Sequence, residues 1–302
     1  MSAIIKMIPS VLMIVSPILI TAVGGMISEK SGVVNIALEG LMGLGAMAAA
    51  SAHVLMEATG IGGISVWLAL AIGALVGMAF STIHAVAAIN LNADQTISGT
   101  GINLLADGVT VFVAQLLFST DRTREFRMGM QTDGIGIYPT AYIAIVVVLL
   151  AWFILYKLPF GMHLRACGEQ PHAADSVGIN VRLIRYIAVL TSGLLAGLAG
   201  GCIVLTQTIQ YTSNTINGRG FIALAAVSFG RWRPVGVTFA AFLFGTAQAF
   251  TIIANNFPSL KALPTEVFNI FPYIITLVAL VVFSGKNYAP LANGRPYIKG
   301  AS

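Results

Sequence analysis

The stretch Pro139-Thr-Ala-Tyr-Ile-Ala-Ile-Val-Val-Val-Leu-Leu-Ala-Trp-Phe-Ile-Leu-Tyr-Lys-Leu158 decides the fold class, because its only charged residue is Lys157. A helix of about 20 mostly apolar residues crosses the ~30 Å hydrocarbon core of a bilayer. Comparable segments recur along the chain at 7–28, 36–57, 64–89, 96–118, 139–158, 186–209, 234–255 and 267–285. The sequence therefore predicts an all-α polytopic membrane protein, a bundle of about 8–10 transmembrane helices that includes broken helices.

The composition excludes the other broad classes of protein. Only 9% of the 302 residues are charged and 57% are hydrophobic, whereas about 25% of an average soluble domain is charged. Such a chain cannot cover itself with polar surface, and it is too apolar to be disordered. The net charge of +5 is spread over short segments between the apolar stretches, which does not resemble a nucleic-acid-binding surface. No nucleic-acid partner is expected.

Motifs for catalysis or metal binding are missing from the sequence. It contains no G-x-x-x-x-G-K-[ST] phosphate loop, no G-x-S-x-G nucleophile motif and no H-E-x-x-H zinc motif. Cys167 and Cys202 are the only cysteines and lie 35 positions apart, so neither a C-x-x-C metal site nor a disulfide framework is expected. We predict a non-catalytic chain without a metal or cofactor.

A shorter apolar run, 218–230, lies between two spans and ends at Arg231-Trp-Arg-Pro234. At ~1.5 Å per residue it reaches about 20 Å, so it is either a short tilted crossing or part of a broken helix. Asn35-Ile-Ala-Leu-Glu39, after the first span, is similar to Phe221-Ile-Ala-Leu-Ala225, after the sixth. This similarity raises the possibility of two inverted repeats with broken helices at matching positions.

Two basic segments indicate which side of the membrane each loop occupies. Cytoplasmic loops collect Lys and Arg, so the loop 159–184 and the basic tail 286–302 are both expected in the cytoplasm. Counting back over five spans then puts the N-terminus outside. Within the loop, Gly161, Gly168, Pro171 and Gly178 separate two short segments, 162–167 and 171–177. We expect two short helices that either dock on a soluble partner or form an ordinary connector.

Polar residues in the apolar stretches are candidates for a translocation pathway, although interhelical hydrogen bonding is the commoner use of such residues. Glu39 is expected at a helix terminus, in an ion pair with Lys30, or in ion coupling. Arg219 either caps a loop, pairs with an acid of a docking protein, or faces the pathway. The candidates are Asn35, Glu39, Asn103, Gln207, Arg219 and Gln248, with Gln95, Thr96, Ser98 and Gln210 as further members.

Glycines spaced four residues apart predict close helix packing. Gly193, Gly197 and Gly201 share one helix face, as do Gly73 and Gly77. Small residues at this spacing allow helix backbones to approach one another closely in membranes. They are expected to pack inside the bundle, and a dimer seam is the alternative.

Three blocks of sequence resemble a known family. They are Gly24-Gly-Met-Ile-Ser-Glu-Lys-Ser-Gly-Val-Val-Asn-Ile-Ala-Leu-Glu-Gly40, Leu164-Arg-Ala-Cys-Gly-Glu-Gln-Pro-His-Ala-Ala174 with Gly178-Ile-Asn-Val181, and Gly218-Arg-Gly-Phe-Ile-Ala-Leu-Ala225 with Phe229-Gly-Arg-Trp-Arg-Pro234. Together they resemble permeases of ATP-binding-cassette (ABC) importers of the branched-chain amino acid and simple sugar group. The nucleoside branch, which works with basic membrane lipoproteins, is the most similar. Cys167 departs from the pattern, where a small or aliphatic residue is usual.

This resemblance implies a single transmembrane permease domain over 1–302 in the bacterial cytoplasmic (inner) membrane. It implies three kinds of partner: ABC ATPase subunits, a second permease that is either this chain or a paralogue, and an extracytoplasmic substrate-binding protein. The loop 159–184 would be the ATPase-coupling element. Its coupling residues would be Arg165, Gly168, Glu169, Pro171, Ala173, Ala174 and Gly178.

The resemblance favours nucleosides as the transported solute but leaves two alternatives. A simple-sugar permease of the same group differs only in its solute. An ion-coupled secondary transporter belongs to a different class and requires uptake to depend on an ion gradient. The amide and hydroxyl side chains among the pathway candidates favour neutral, hydroxyl-bearing solutes.

Overall fold

The computed structural model describes residues 2–254 and 288–300, together with 270, 274, 277, 278 and 281. Most of the predicted span 267–285 lies outside the described residues, as does Lys286 at the start of the tail. Within the described part the regular elements are all helical, as the sequence predicts. They are α1 Ser2–Lys30, α2 Leu38–Ala58, α3 Ile64–Ala85, α4 Gln95–Phe118, α5 Pro139–Lys157, α6 Pro159–Glu169, α7 Pro171–Ser176, α8 Val181–Ile203, α9 Arg219–Phe229 and α10 Pro234–Ala254.

Six of the described helices are long and apolar enough to cross a membrane: Met7–Lys30, Leu38–Ala58, Ile64–Asn90, Gln95–Phe118, Pro139–Lys157 and Val181–Thr208. They coincide with the first six predicted spans, which confirms a polytopic helical membrane protein. The third and sixth continue α3 and α8 through π-helical turns, Val86–Asn90 and Val204–Thr208. The seventh predicted span corresponds to α10, and the short run 218–230 corresponds to α9.

The bundle has two ends, which we call the tail end and the far end. At the tail end, the N–H of Ala292 donates to the carbonyl oxygen of Gly168 at 2.8 Å, and the N–H of Gly294 donates to that of Gly32 at 3.3 Å. At the far end, the N–H of Thr123 donates to the carbonyl oxygen of Tyr211 at 3.1 Å. The ends of α1 and α5 therefore lie at the same end of the bundle, as the four crossings between them, α2 to α5, require.

The short helix α9 forms the second half of a broken crossing. Residues 209–212 lie at the far end, α9 begins in the interior of the bundle beside Glu39, and the turn after it reaches the tail end. There, the indole N–H of Trp232 donates to the carboxylate of Glu29 at 2.6 Å. Of the two arrangements open from the sequence, the structure favours the interrupted one, with the irregular segment 209–218 followed by the short helix α9.

The predicted glycine packing lies inside the bundle, between α8 and its neighbours. A Cβ atom at Gly197 would overlap the backbone of Gly73 and would lie 2.9 Å from the Cα of Gly77. At Gly193 it would overlap Ser81 of the same neighbouring helix, α3. The expectation of internal packing is confirmed, and the contact allows α8 to lie at the centre of the fold.

The loop 159–184 contains the two expected short helices, α6 and α7, but two of its glycines do not end them. Gly161 and Gly168 lie inside α6, so the predicted segment 162–167 was too short. A Cβ at Gly161 would overlap Ile154 and Leu155, and one at Gly168 would overlap the carbonyl of Lys30. These glycines are needed for close packing against α5 and α1, which a single sequence cannot distinguish from chain breaks.

Candidate functional site

The irregular segment 31–37 interrupts the chain between α1 and α2, and side chains from other helices bind its backbone. Gln95 accepts a hydrogen bond from the N–H of Val34 at 2.7 Å. A ring nitrogen of His84 lies 2.9 Å from the carbonyl oxygen of Val34, and the other ring nitrogen lies 3.0 Å from the hydroxyl of Ser98. Irregular backbone is tolerated at membrane depth where protein satisfies its polar groups in this way.

Asn103 of α4 secures the start of α2 by the same chemistry. Its amide nitrogen donates to the carbonyl oxygen of Ile36 at 3.0 Å, and its amide oxygen accepts from the N–H of Gly40 at 2.8 Å. Both polar atoms of this side chain are therefore occupied by backbone. As a pathway candidate, Asn103 lies beside the break but has no amide atom left without a partner.

Asn35 lies in the same segment and keeps one polar atom without a partner. Its side chain is fully buried, and its amide nitrogen donates to the hydroxyl of Ser192 at 3.0 Å. Among the described residues its amide oxygen has no hydrogen-bond partner, and neither does the amide nitrogen of Gln95, which bonds the adjacent Val34 through its oxygen. Buried polar atoms without partners are uncommon and point to a ligand, water or a second conformation at the position.

Glu39, in the first turn of α2, caps the start of α9. Its two carboxylate oxygens accept from the backbone N–H groups of Gly218 at 2.7 Å and Gly220 at 2.6 Å. The first N–H groups of a helix lack partners within the helix and favour a negative charge nearby. The expected helix-terminus position is confirmed, and the alternative ion pair with Lys30 does not form.

Two glycines at the start of α9 allow Glu39 to lie this close: Gly218 by its left-handed backbone conformation, and Gly220 by its lack of a side chain. Gly218 precedes α9 with φ of +79°, a conformation that glycine adopts readily. A Cβ at Gly220 would lie 2.5 Å from both the backbone nitrogen and the Cα of Glu39. The two similar pentapeptides of the sequence thus begin helices that touch at their starts.

Arg219 lies between these glycines, close to Glu39. One of its terminal nitrogens donates to the carbonyl oxygen of Thr215 at 3.5 Å, while its Nε is buried without a partner. The guanidinium interacts electrostatically with Glu39 but does not form a direct ion pair. Arg219 therefore bonds the loop that precedes α9, which agrees with the alternative that it caps a loop.

The two remaining pathway candidates lie apart from this cluster. Gln207 donates from its amide nitrogen to the carbonyl oxygen of Met13 at 3.0 Å, which joins the end of α8 to α1. Gln248 on α10 has a buried amide oxygen that finds no partner among the described residues. The structure thus brings together Asn35, Glu39, Asn103 and Arg219, and it assigns Gln207 to interhelical hydrogen bonding.

The helices α6 and α7 present a mixed surface at the tail end. Gly168 and Ala174 are buried, whereas Glu169, Ala173 and Gly178 are exposed. The half-buried Arg165 places its guanidinium 5.1 Å from the ring centre of Tyr156 and bonds within α6. Pro171 occupies the first position of α7, as expected of proline. The seven coupling candidates therefore divide into residues that shape α6 and α7 and residues that face solvent.

The basic tail packs against these two helices. Lys299 lies 3.7 Å from Asp175 of α7, and the ring of Tyr297 lies 5.1 Å from that of His172. The N–H of Leu291 donates to the carboxylate of Glu169 at 3.3 Å. The described tail, 288–300, thus touches both α6 and α7.

Arg185 joins the tail to the end of α1. This guanidinium is 1% exposed and donates to the carbonyl oxygens of Ser31 at 3.1 Å and Arg295 at 3.2 Å. Burial raises the pKa of the Cys167 thiol to about 11, although the positive charge of Arg185 opposes the shift. Cys167 is therefore a neutral, packed thiol at physiological pH.

Sequence reasoning missed His84, Glu29 and Arg185 as organising residues. His84 lies in an apolar stretch of the sequence, and its partner in the break 31–37 depends on tertiary structure. Glu29 is 5% exposed and receives hydrogen bonds from Trp232 and from Asn293 of the tail. The available signal was the cost of an ionisable residue at the end of an apolar stretch, which implies a partner.

Comparison with known proteins identifies the family. The family model described as the permease component of branched-chain amino acid transport systems matches residues 7–280. The chain is 44% identical to the guanosine ABC transporter permease protein NupQ of Bacillus subtilis, with 97% of this chain and 96% of the relative covered. It is 38% identical to the nucleoside ABC transporter permease protein NupC of Lactococcus lactis, covering 94% of each.

A third relative carries a different solute in its name. The putative glucose ABC transporter permease protein TsgC13 of Haloferax volcanii is 33% identical over 79% of this chain and 74% of its own length. The family match, residues 7–280, spans nearly all of the helical bundle described above and includes both the α1–α2 break and the α6–α7 pair. The chain belongs to the family of permease components of branched-chain amino acid-type transport systems, and it is a multi-pass membrane protein.

Proposed function

We propose that this chain is a permease subunit of an ABC importer for nucleosides in the bacterial cytoplasmic membrane. The observation that carries the proposal is the near full-length similarity to permeases named for guanosine and for nucleosides, at 44% and 38% identity. The subunit itself hydrolyses nothing in this proposal. Separate ATPase subunits supply the energy, and a second permease, this chain or a paralogue, completes the pathway.

The helices α6 and α7 are the proposed contact with the ATPase. They lie at the end of the bundle that carries the basic tail, and the positive-inside rule assigns that end to the cytoplasm. Ala173 and the neighbouring Gly178 are exposed there, while Gly168 and Ala174 fix how α6 and α7 pack. Movement of α6 and α7 with a docked ATPase could transmit its conformational change to the bundle, because packed helices shift between discrete arrangements.

The proposed solute pathway passes the break between α1 and α2. Asn35 and Gln95 each keep an unpartnered amide atom there, and Arg219 keeps an unpartnered Nε nearby. Together they supply one hydrogen-bond acceptor and two donors, as hydroxyl groups and heterocyclic bases require. The Asn35 side chain is closed off from solvent, so alternating access must open this region during transport.

The test is uptake of labelled guanosine and uridine, with labelled ribose as control, in cells with and without the gene. Loss of nucleoside uptake alone supports the proposal. Loss of ribose uptake alone would keep the importer and assign it to sugars, the alternative that the glucose-named relative favours. Dissipating the proton gradient while ATP is maintained should spare uptake, whereas an ion-coupled secondary transporter would stop.

A residue-level test separates solute contact from packing. Replacing Asn35 by Asp keeps its size and should raise KM for guanosine, because a negative charge replaces the neutral amide whose oxygen is proposed to meet the solute. Ser192→Ala removes the Asn35–Ser192 hydrogen bond without adding charge and serves as the matched control. If both variants change uptake equally, the Asn35–Ser192 bond matters only for packing.

A further inference from the structure

A basic cavity of about 590 Å³ opens at the tail end of the bundle. It lies between the ends of α1 and α5, helix α6, the turn between α9 and α10, and the start of the described tail. Four basic side chains and one acid line it: Lys30, Arg165, Arg231, Arg233 and Glu169. The net formal charge of these five side chains is +3, so the cavity is suited to binding an anion.

Within the part of the chain that the structure describes, the basic groups of this cavity form no direct ion pair. Among the described residues, the direct ion pairs are Arg122 with Asp121 and Lys299 with Asp175, and neither lies in the cavity. The guanidinium of Arg231 instead lies 4.6 Å from the ring centre of Tyr288. Trp152 and Tyr156 complete an aromatic wall at the end of α5, where membrane proteins commonly place aromatic residues at the bilayer interface.

A strained turn holds two of the arginines in place. Arg231 and Trp232 have φ of +54° and +53°, a left-handed conformation that non-glycine residues seldom adopt and that clusters at ligand-binding positions. Trp232 is buried and bonded to Glu29 at 2.6 Å, which fixes the middle of the turn. Arg231 and Arg233, on either side of it, are consequently exposed toward the cavity.

An apolar groove of about 550 Å³ continues from this cavity between α5 and α10. Val235 lines both spaces. The groove runs along α10 from Val235 to Thr246, which at ~1.5 Å per residue is about 17 Å, or roughly half the hydrocarbon core. Val235 and Phe239 are 73% and 81% exposed, so the described residues leave this surface open.

We propose that the cavity and groove together form a binding site for one anionic phospholipid. The phosphate of the headgroup lies among Lys30, Arg165, Arg231 and Arg233, and an acyl chain lies in the groove along α10. Basic pockets on the cytoplasmic side between membrane helices are suited to anionic headgroups. A soluble phosphate or an acidic side chain of another protein would use the cavity but would leave the continuous groove without an occupant.

The experiment compares lipid binding to the complete permease complex in detergent. Delipidated complex is titrated with phosphatidylglycerol or phosphatidylcholine, and bound lipid is counted by native mass spectrometry. The variant Arg231→Gln/Arg233→Gln removes two charges from the cavity. Arg122→Gln/Arg124→Gln removes two exposed charges from the far end and is the matched control. A third variant, Leu243→Trp, fills the groove without changing charge.

We expect wild-type complex to bind phosphatidylglycerol at least about tenfold more tightly than phosphatidylcholine, from the usual contribution of basic residues to anionic-lipid binding. The cavity variant should lose about tenfold or more, the far-end control should match wild type, and Leu243→Trp should also bind less. Each cavity effect is scored only on complex that keeps its wild-type melting temperature. If the arginine variant does not fold, Leu243→Trp and the comparison of the two lipids on wild-type complex still test the proposal.

Four results would overturn the proposal. Equal binding of the two lipids, or unchanged phosphatidylglycerol binding in the arginine variant, would show that the cavity is not an anion-binding site. Displacement of lipid by millimolar inorganic phosphate, with Leu243→Trp behaving as wild type, assigns the cavity to a free anion. Loss of copurifying ATPase in the arginine variant, with lipid binding intact, assigns the arginines to a protein contact.

Discussion

The carboxylate of Glu39, in the first turn of α2, accepts a hydrogen bond of 2.6 Å from the backbone N–H of Gly220, in the first turn of α9. The same carboxylate accepts from Gly218 at 2.7 Å. A helix that begins inside a membrane bundle cannot obtain these partners from solvent. Glu39 therefore makes the interior start of α9 possible, and with it the broken crossing.

Replacing Glu39 by Ala should destabilise the protein by about 0.5–2 kcal/mol, the usual cost of losing a helix cap. Glu39→Gln should cost less, because an amide oxygen still accepts one of the two hydrogen bonds. Thermal unfolding of the purified protein in detergent measures both. Glu125→Gln, at an exposed position of the far end, is the control, and an equal effect there would contradict the capping role.

Replacing Gly197 by Ala should lower the amount of folded protein sharply. The added methyl group would overlap the backbone of Gly73, and overpacking of a well-packed core typically costs about 1–3 kcal/mol. Gly101→Ala, on α4 where a Cβ meets nothing within 4 Å, should be neutral or slightly stabilising. Size-exclusion chromatography and thermal unfolding report both variants, and equal behaviour would contradict the assigned packing.

Replacing Arg185 by Ala should release the tail from the end of α1. The change leaves the carbonyl oxygens of Ser31 and Arg295 without their guanidinium donor, at a cost of about 1–3 kcal/mol for buried groups. Trypsin should then cleave after Lys299, which is followed by Gly300, faster than in wild type, as measured by mass spectrometry. Arg182→Ala, an exposed position one turn earlier on α8, should leave the cleavage rate unchanged.

Cys167 should react slowly with maleimides at neutral pH. Because burial raises its pKa to about 11, the reactive thiolate is scarce at pH 7.5 and increases only as the pH approaches that value. In a Cys202→Ala background, an exposed thiol introduced by Ala173→Cys should react about 100-fold faster or more, given an ordinary thiol pKa near 8.5. Similar rates for the two thiols would show that Cys167 is accessible and ionised.

Replacing Ala173 by Glu should prevent the ATPase from copurifying if α7 forms the proposed contact. Ala173 is exposed, so the substitution leaves the packing of α7 intact while it places a charge on the docking surface. Ala58→Glu makes the same change at an exposed position of the far end. The permease should remain folded in both variants, and normal copurification with Ala173→Glu would exclude this part of the coupling surface.

The sequence by itself determined the spans and their class, because crossing a bilayer requires long apolar segments that are visible in any single stretch of chain. Helical spacing predicted that Gly193 and Gly197 pack closely, and helical rise limited 218–230 to a short tilted crossing or part of a broken helix, a choice that the sequence left open. The two short helices of the loop 159–184 followed from proline and glycine positions, although Gly161 and Gly168 proved to be packing residues.

Tertiary structure decided which groups meet. The sequence places Glu39 and Gly220 far apart, and nothing in the local pattern distinguishes a helix cap from an ion pair with Lys30. Likewise, Arg185 reads as one more basic residue at a cytoplasmic boundary, yet it is buried between the end of α1 and the tail. The pattern of apolar residues along a segment indicates whether that segment is suited to lipid, water or the protein interior. Hydrogen-bond partners across the bundle depend instead on how the segments pack together.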